Sequence, residues 1–358
     1  MQRWGSCDRL HRDLCYGWEK GIVAPLVATD SKYINCWEEC MRFLVYGAGA
    51  LGQAIGCLLA AAGHQVDLVL RSRFAEILQS SGLTVTGIFG DFHVPGERLG
   101  LLTDCQNRSD IGYDYILLTT KTYDTAAALD ALTVLAGSTC PIVSLQNGCG
   151  NLEQLAQRFG LERSLAARVI TGFAIEQPGV IRITVSADAV HLGGCIRGTI
   201  PAPAEQLATI LTQAGLPSIA VADIFQSLFG KLLYNCALNP LGAILGVHYG
   251  ALAEHSETRR IMNRVMEETF AVITAMGGTT PWADAEKYQN VFYDQLVPAT
   301  YDHRPSMLQD LDSGKPTEVD AMVGYVAAQG HQWGVATPCC DFLAGLVRFK
   351  EQQTQPLP

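Results

Sequence analysis

Between Gly230 and Pro240 the chain carries Lys231, Asn235 and Asn239 at successive intervals of four, in a run that is otherwise strongly apolar. On a helix this spacing puts all three side chains on one face. A lysine there could hold an anion or deliver a proton, and the amides could orient a polar ligand. Burying such groups without partners is costly. Either the face borders a cleft that receives a polar ligand, or Lys231 snorkels to water and the amides cap nearby backbone; spacing alone leaves both open. Lys121 directly follows the apolar run Tyr115 to Thr119, and Asn147 follows the run Pro141 to Leu145 within Ser144-Leu145-Gln146-Asn147-Gly148-Cys149-Gly150. Ser306, Asp310, Thr317 and Glu318 form a last polar block. Each has an ordinary explanation: an exposed lysine, an Asn-Gly turn, and residues that start helices. The chemical alternative sets Glu318 opposite Lys231 across a cleft.

Side chains at the ends of strands need a sheet to hold them there. Arg42 to Tyr46 is predicted to be a buried strand running into Gly47-Ala48-Gly49-Ala50-Leu51-Gly52, with a helical segment from Gln53 to Ala62. A Gly-x-Gly-x-x-Gly turn between strand and helix is the context of dinucleotide binding. Gly47 permits the tight turn, Gly49 the approach of a pyrophosphate, and Gly52 close packing of helix on strand. The helix N-terminus offers free N–H groups to phosphates. Residues 47–52 are therefore the expected cofactor cradle. A second strand, Gln65 to Leu70, ends in Arg71-Ser72-Arg73. An acidic residue at that place would hold a ribose 2′-hydroxyl, whereas arginine suits a 2′-phosphate. Arg71 thus points to NADP(H), against the plainer view of solvated loop charges. In open α/β sheets ligands bind at the carboxyl ends of strands, where Lys121 and Asn147 would lie.

At 358 residues, 48% hydrophobic and 17% charged, the chain suits a soluble enzyme of two domains. A net charge of −10 without a basic cluster excludes a nucleic-acid partner. Residues 43–63 are nearly uncharged, but five glycines and a strand-turn-helix pattern account for them better than a membrane span. The twelve cysteines, scattered as at Cys57, Cys140 and Cys236, suggest a reduced cytoplasmic protein, and Cys339-Cys340 a packing role. Residues 1–40 lack sustained periodicity and are expected to be an extension outside the fold. Cys7, Cys15, Cys36 and Cys40 lack the paired short loops of a zinc site, so no metal is expected.

From Met41 to about Ala222 strands alternate with helices, with further strands at Tyr115 to Thr119, Pro141 to Leu145 and Ala166 to Ile170. Residues 171–195 read as antiparallel strands appended to the same sheet, turning near Gln177-Pro178-Gly179. After Asp223, helices are predicted over 223–246, 252–276, 283–293 and 318–332, and from Pro338 to about Glu351. The fold class is an α/β Rossmann-type N-terminal domain (41–222) with a mainly α-helical C-terminal domain (223–352).

In order and spacing, the glycine turn, Lys121, Gln146-Asn147-Gly148, Lys231 with Asn235 and Asn239-Pro240, and Ser306 to Asp310 leading to Thr317-Glu318 resemble the ketopantoate reductase family, from Met41 to about Lys350. The resemblance implies Lys231 as the catalytic lysine and Glu318 as its acidic partner. It implies substrate contacts from Asn235, Asn239, Ser306 and Asn147, with Lys121, Asn147 and Glu318 near the cofactor. It further implies NADPH-dependent reduction of 2-dehydropantoate to pantoate, in pantothenate and coenzyme A biosynthesis. Two features depart from the family: the extension, and Tyr249, where some members carry an Asn that touches substrate. The second leaves room for another 2-keto acid. A non-catalytic NADPH-binding sensor is the alternative of a different class, although it would have no need of the polar set after Asp223. The expected partner is a small 2-keto acid, with no membrane and with a homodimer through the apolar helical domain.

Overall fold

Phe43, Leu44 and Val45 are fully buried at the centre of β1 (Arg42–Tyr46), as a strand covered on both faces must be. The computed structural model describes residues 40–354 other than 107, 109, 110 and 136–138. The expected extension, with Cys7, Cys15 and Cys36, lies outside the described residues apart from Cys40. After β1 come α1 (Ala50–Ala61), β2 (Gln65–Val69), α2 (Ser72–Ser81), β3 (Leu83–Gly87), β4 (Phe92–Val94), β5 (Leu99–Leu102), β6 (Tyr115–Leu118), α3 (Thr125–Leu132), β7 (Ile142–Ser144) and α4 (Asn151–Phe159). There follow β8 (Ser164–Arg168), β9 (Thr171–Gln177), β10 (Val180–Ser186), β11 (Val190–Gly194), α5 (Ala202–Gln213) and β12 (Ser218–Ala220).

The main sheet has the order β12-β11-β8-β7-β6-β1-β2-β5. It is parallel from β8 to β5, while β11 runs antiparallel to β8. Ile55, Leu58 and Leu59 of α1 share one core with Val66 and Leu68. On the opposite face Leu129, Leu132 and Leu155 pack with Ile116, Leu118 and Ile142. The strand expected at 166–170 is β8, two residues earlier. One expectation fails: β9 and β10 do not extend this sheet. They pair with β3 and β4 as a separate four-stranded sheet, β4-β3-β10-β9, and β11 alone of that region joins the main sheet. The reason is patterning. In β10, Ile181 and Ile183 are buried and Arg182 and Thr184 exposed, which is a one-faced strand laid over the α1 side of the core. The turn falls at Pro178-Gly179 as predicted, with Gly179 at φ +81°.

The remainder is helical: α6 (Ile224–Leu245), α7 (Tyr249–Glu254), α8 (Ser256–Ala275), α9 (Ala285–Val291), a π-turn over Phe292–Leu296, α10 (Val297–Ala299), α11 (Ser306–Asp312), α12 (Val323–Trp333) and α13 (Pro338–Thr354). The helix expected over 252–276 is two helices, broken where His255 is extended at φ −101°, ψ 133°. That expected from 318 begins as a 3₁₀ turn over Val319–Ala321, and α12 starts at Val323. Asp223 caps α6 by accepting from the Gln226 amide at 3.2 Å, and Gly246 ends it in the left-handed region. Alone among the described helices, α6 is long and apolar enough to span a bilayer, yet 72% of its apolar window is buried within the fold. Phe229, Leu232, Leu233 and Cys236 make it the spine of the helical core. Cys340 is fully buried in that core, and the backbone N–H groups of Cys339 and Cys340 donate to Glu268 at 3.0 and 2.9 Å.

Candidate active site

The glycine turn passes a steric test at each position. At Gly47, φ is +113° and an added Cβ would lie 2.7 Å from the Thr120 nitrogen. At Gly52 it would lie 2.1 Å from the Gly47 carbonyl oxygen and 2.6 Å from Thr119 Oγ1. A Cβ at Gly49 would meet no heavy atom within 4 Å. The first and third glycines are thus consumed by internal packing, and the second leaves open space at the start of α1. No side chain caps that helix, so its first N–H groups lack intrahelical partners and face the opening. The turn is fixed by Gly47 and Ala48, whose N–H groups donate to the Val69 carbonyl at 3.2 Å each, and by Gln53 Nε2, which donates to Ala48 at 2.8 Å. Residues 47–52 therefore fit a dinucleotide pyrophosphate. Arg71 stands two residues beyond Val69, exposed at the end of β2 and without an ion-pair partner among the described residues.

Beyond β6 and β7 the site continues into the helical half. Lys231, in the second turn of α6, donates from Nζ to Asn147 Oδ1 at 2.6 Å and to the Val169 carbonyl at 2.5 Å. It points into the protein; it does not snorkel. Burial lowers its pKa to about 8, with Glu318 opposing that fall and Arg168 adding to it. Asn147 also donates from Nδ2 to Glu318 Oε2 at 3.2 Å, so one amide joins lysine to carboxylate. No hydrogen bond joins Lys231 to Glu318 directly; the expected facing pair is relayed. The cation bonded to Glu318 is Lys121, 3.3 Å from Oε2, and the Thr122 amide donates to Oε1 at 3.2 Å. Lys121 also reaches Asp310 Oδ2 at 2.9 Å. Burial presses the Lys121 pKa down, but Glu318 and Asp310 outweigh it and the net shift is upward. Asp310, held up by burial against the pull of Lys121, titrates above the usual carboxylate range.

Asn235 and Asn239 face the same region, and of the two only Asn239 takes a backbone N–H, that of Met307 in the first turn of α11. Asn239 Nδ2 donates to Asn235 Oδ1 at 3.3 Å, and Asn239 Oδ1 accepts from Ser306 Oγ at 3.1 Å and the Met307 amide at 3.5 Å. Capping does not explain Ser306, because Pro305 occupies the N-cap of α11 and the serine hydroxyl turns to Asn239. Thr317 does serve its own segment, accepting from the Val319 amide at 3.2 Å. The buried Tyr249 lies beside this row, edge-on to Tyr234 at 5.7 Å and near Asn239. Sequence reasoning missed the Val169 carbonyl and the Thr122 amide, since backbone groups carry no residue-type signal. It gave Asp310 only a helix-starting role.

The sequence profile described as Ketopantoate reductase PanE/ApbA matches residues 43–195, and that described as Ketopantoate reductase PanE/ApbA C terminal matches residues 223–351. The chain belongs to the ketopantoate reductase family. A 2-dehydropantoate 2-reductase of Aquifex aeolicus is 37% identical over 311 residues, spanning 87% of this chain and 97% of that one. The crystal structure of 2-dehydropantoate 2-reductase from Geobacter metallireducens is similar at 30% identity and a TM-score of 0.78, over 86% of this chain and 99% of that one. A ternary structure of D-mandelate dehydrogenase with NADH and anilino(oxo)acetate is similar at 25% identity and a TM-score of 0.77, over 88% and 99% of the two chains. Ketopantoate reductases are NAD(P)-dependent oxidoreductases. The two matched spans of this ketopantoate reductase family member meet where Lys121 and Asn147 from the first bond Glu318 and Lys231 from the second.

Proposed function

We propose that the chain is an NADPH-dependent 2-dehydropantoate 2-reductase that forms pantoate, serving pantothenate and coenzyme A biosynthesis in the cytoplasm. One observation carries the proposal: a half-buried lysine with a lowered pKa is held by an amide and a carbonyl and is linked through Asn147 and Glu318 to Lys121, which directly follows the Thr119-Thr120 pair packed on the glycine turn. Gly47, Ala48, Gly49, Ala50, Leu51 and Gly52 would hold the pyrophosphate and Arg71 the 2′-phosphate, with Lys121, Asn147 and Glu318 toward the nicotinamide end. When bound, the dinucleotide supplies a hydride. The chain supplies the proton and the geometry. An ammonium has three N–H donors, of which Lys231 commits two, to Asn147 and Val169. The third is left for the keto oxygen of the substrate, where it stabilises growing negative charge and then transfers. Glu318 supports the charged form of Lys231 from beyond Asn147, and Asn235, Asn239 and Ser306 orient the substrate's polar groups. Residues 41–222 would form the cofactor domain and 223–352 the substrate domain, in a homodimer. Loss of NADPH absorbance on adding 2-dehydropantoate tests the activity, and Lys231→Ala should cut kcat by roughly 10² to 10⁴. Undiminished turnover in that variant overturns the assignment of the acid.

Tyr249 favours a second reading with the same chemistry. Its ring, 2% exposed, lies beside the polar row that begins at Asn235, so a differently shaped 2-keto acid would sit against it. A panel of keto acids ranked by kcat/KM separates the two.

A further inference from the structure

Behind Lys231 lies a second polar assembly that the chemistry above does not use. Arg168 is the last residue of β8 and 4% exposed. Its Nη2 donates to Asp188 Oδ2 at 2.7 Å, while Nη1 is buried without a hydrogen-bond partner. Asp188 lies in the β10–β11 turn and also takes His191 Nε2 at 3.2 Å. His191 is the cross-strand partner of Arg168. Its Nδ1 sits 2.8 Å from Ser227 Oγ on α6, four residues before Lys231 and on the same helix face. The circuit closes on itself: Ser227 to His191 to Asp188 to Arg168, then one residue along the chain to Val169, whose carbonyl receives the Lys231 ammonium.

We propose that Arg168, clamped by Asp188 and His191, is a positioning residue for Lys231: it fixes the corner after β8 that presents the Val169 carbonyl, and it sets a second positive charge beside the ammonium. The inference rests on Lys231 being the proton donor. Two cations near one another raise the free energy of both, and the one able to shed a proton becomes the better acid. Asp188 holds the guanidinium at Nη2, and of this pair only Arg168 is among the groups that act on Lys231. The charged and titratable groups acting on Lys231 are Glu318 from the segment before the 3₁₀ turn, Arg168 from β8 and Cys149 from the loop after β7. Glu318 and Cys149 favour the ammonium, and Arg168 alone among them disfavours it. A guanidinium suits the task, since it cannot itself deprotonate in the working range.

The test is the pH dependence of kcat for wild type, Arg168→Gln, Asp188→Asn and Lys231→Ala, with NADPH and 2-dehydropantoate. Activity should fall as pH rises through the value set by Lys231. Arg168→Gln should move that fall upward by roughly half to one pH unit. Asp188→Asn, which leaves the guanidinium uncompensated, should move it downward. A role confined to structure would lower kcat in both variants without moving the profile in opposite directions. A folded Arg168→Gln enzyme with an unmoved profile overturns the inference and leaves the proposed function standing; undiminished turnover in Lys231→Ala overturns the donor assignment itself. Should Arg168→Gln fail to fold by circular dichroism, Asp188→Asn decides: a downward move supports the inference, and an unmoved or raised profile overturns it.

Discussion

The half-buried ammonium of Lys231 should make folding stability depend on pH in a way that one substitution removes. Burial takes its pKa from 10.5 down to about 8. The folded value lies below the unfolded one, so between them the unfolded chain holds a proton that the folded chain has released. Stability therefore rises with pH across that window; the penalty is complete below about pH 8 and gone by about 10.5. Each pH unit corresponds to about 1.36 kcal/mol, which makes the whole effect on the order of 3 kcal/mol. Lys231→Met keeps an unbranched side chain of similar length and abolishes the titration. It also leaves Asn147 Oδ1 and the Val169 carbonyl without their donor, at about 1–3 kcal/mol each, but that cost does not vary with pH. Other buried groups act in the opposite sense. The Cys57 thiol and the Tyr115 phenol are both pushed up to about 12 by burial, so the unfolded chain loses their protons first and stability falls as pH rises. Subtracting wild type from variant cancels them. Urea unfolding of both proteins from about pH 7 to about pH 10.5 is the assay. Stability of the variant relative to wild type should decline by on the order of 3 kcal/mol across the upper part of that range, and a flat difference would refute the half-buried cation.

Four further substitutions separate the cradle from the chemistry. Gly49→Ala adds a methyl with nothing within 4 Å, so thermal stability should change by less than about 0.5 kcal/mol while NADPH affinity, read by fluorescence titration, weakens at least roughly tenfold; Gly52→Ala, whose methyl would sit 2.1 Å from the Gly47 oxygen, should lose about 1–3 kcal/mol of stability as well. Arg71→Ala should leave stability alone because the side chain is exposed, yet lower the NADPH-over-NADH ratio of kcat/KM by roughly tenfold or more; an unchanged ratio assigns the 2′-phosphate contact elsewhere. Glu318→Gln removes the charge that supports the Lys231 ammonium, so the alkaline fall in kcat should begin at lower pH, and a profile that stays put would show that Asn147 transmits no electrostatic support.

What could be read from the chain was whatever a local pattern encodes. The glycine turn combined a strand, fixed spacing and a helix, and its three glycines behave differently in the structure for the reasons their spacing implies. The one-face row Lys231, Asn235, Asn239 was legible because helical periodicity is local. The partner of Glu318 was not. Periodicity within α6 says nothing about the register of a segment almost ninety positions later, and the fold inserts Asn147 between the two charges. The break at His255 was hidden for a related reason: no Gly or Pro stands between α7 and α8, so composition reads straight through a bend that tertiary packing imposes. The second sheet escaped because pairing of β10 with β3 joins residues about a hundred apart.

Two lysines meet at this site, and their surroundings drive them apart. Lys121 touches two carboxylates, Glu318 and Asp310, and its pKa is raised despite burial. Lys231 touches an amide oxygen and a carbonyl, neither charged, and its pKa falls to about 8. Under the proposed function, environments that separate two pKa values in this way would divide the work between the two lysines. Lys121 stays an ammonium throughout the neutral range and can act only as fixed charge and donor. Lys231 is charged near neutrality but close to release, which is the condition for a general acid. Exchanging the two environments would exchange the roles. A carboxylate introduced by Asn147→Asp would give Lys231 an ion-pair partner like those of Lys121, raise its pKa and slow proton delivery; the alkaline fall in kcat should then move to higher pH while kcat itself drops. Should Asn147→Asp leave both unchanged, the neutrality of the groups around Lys231 would have no part in catalysis.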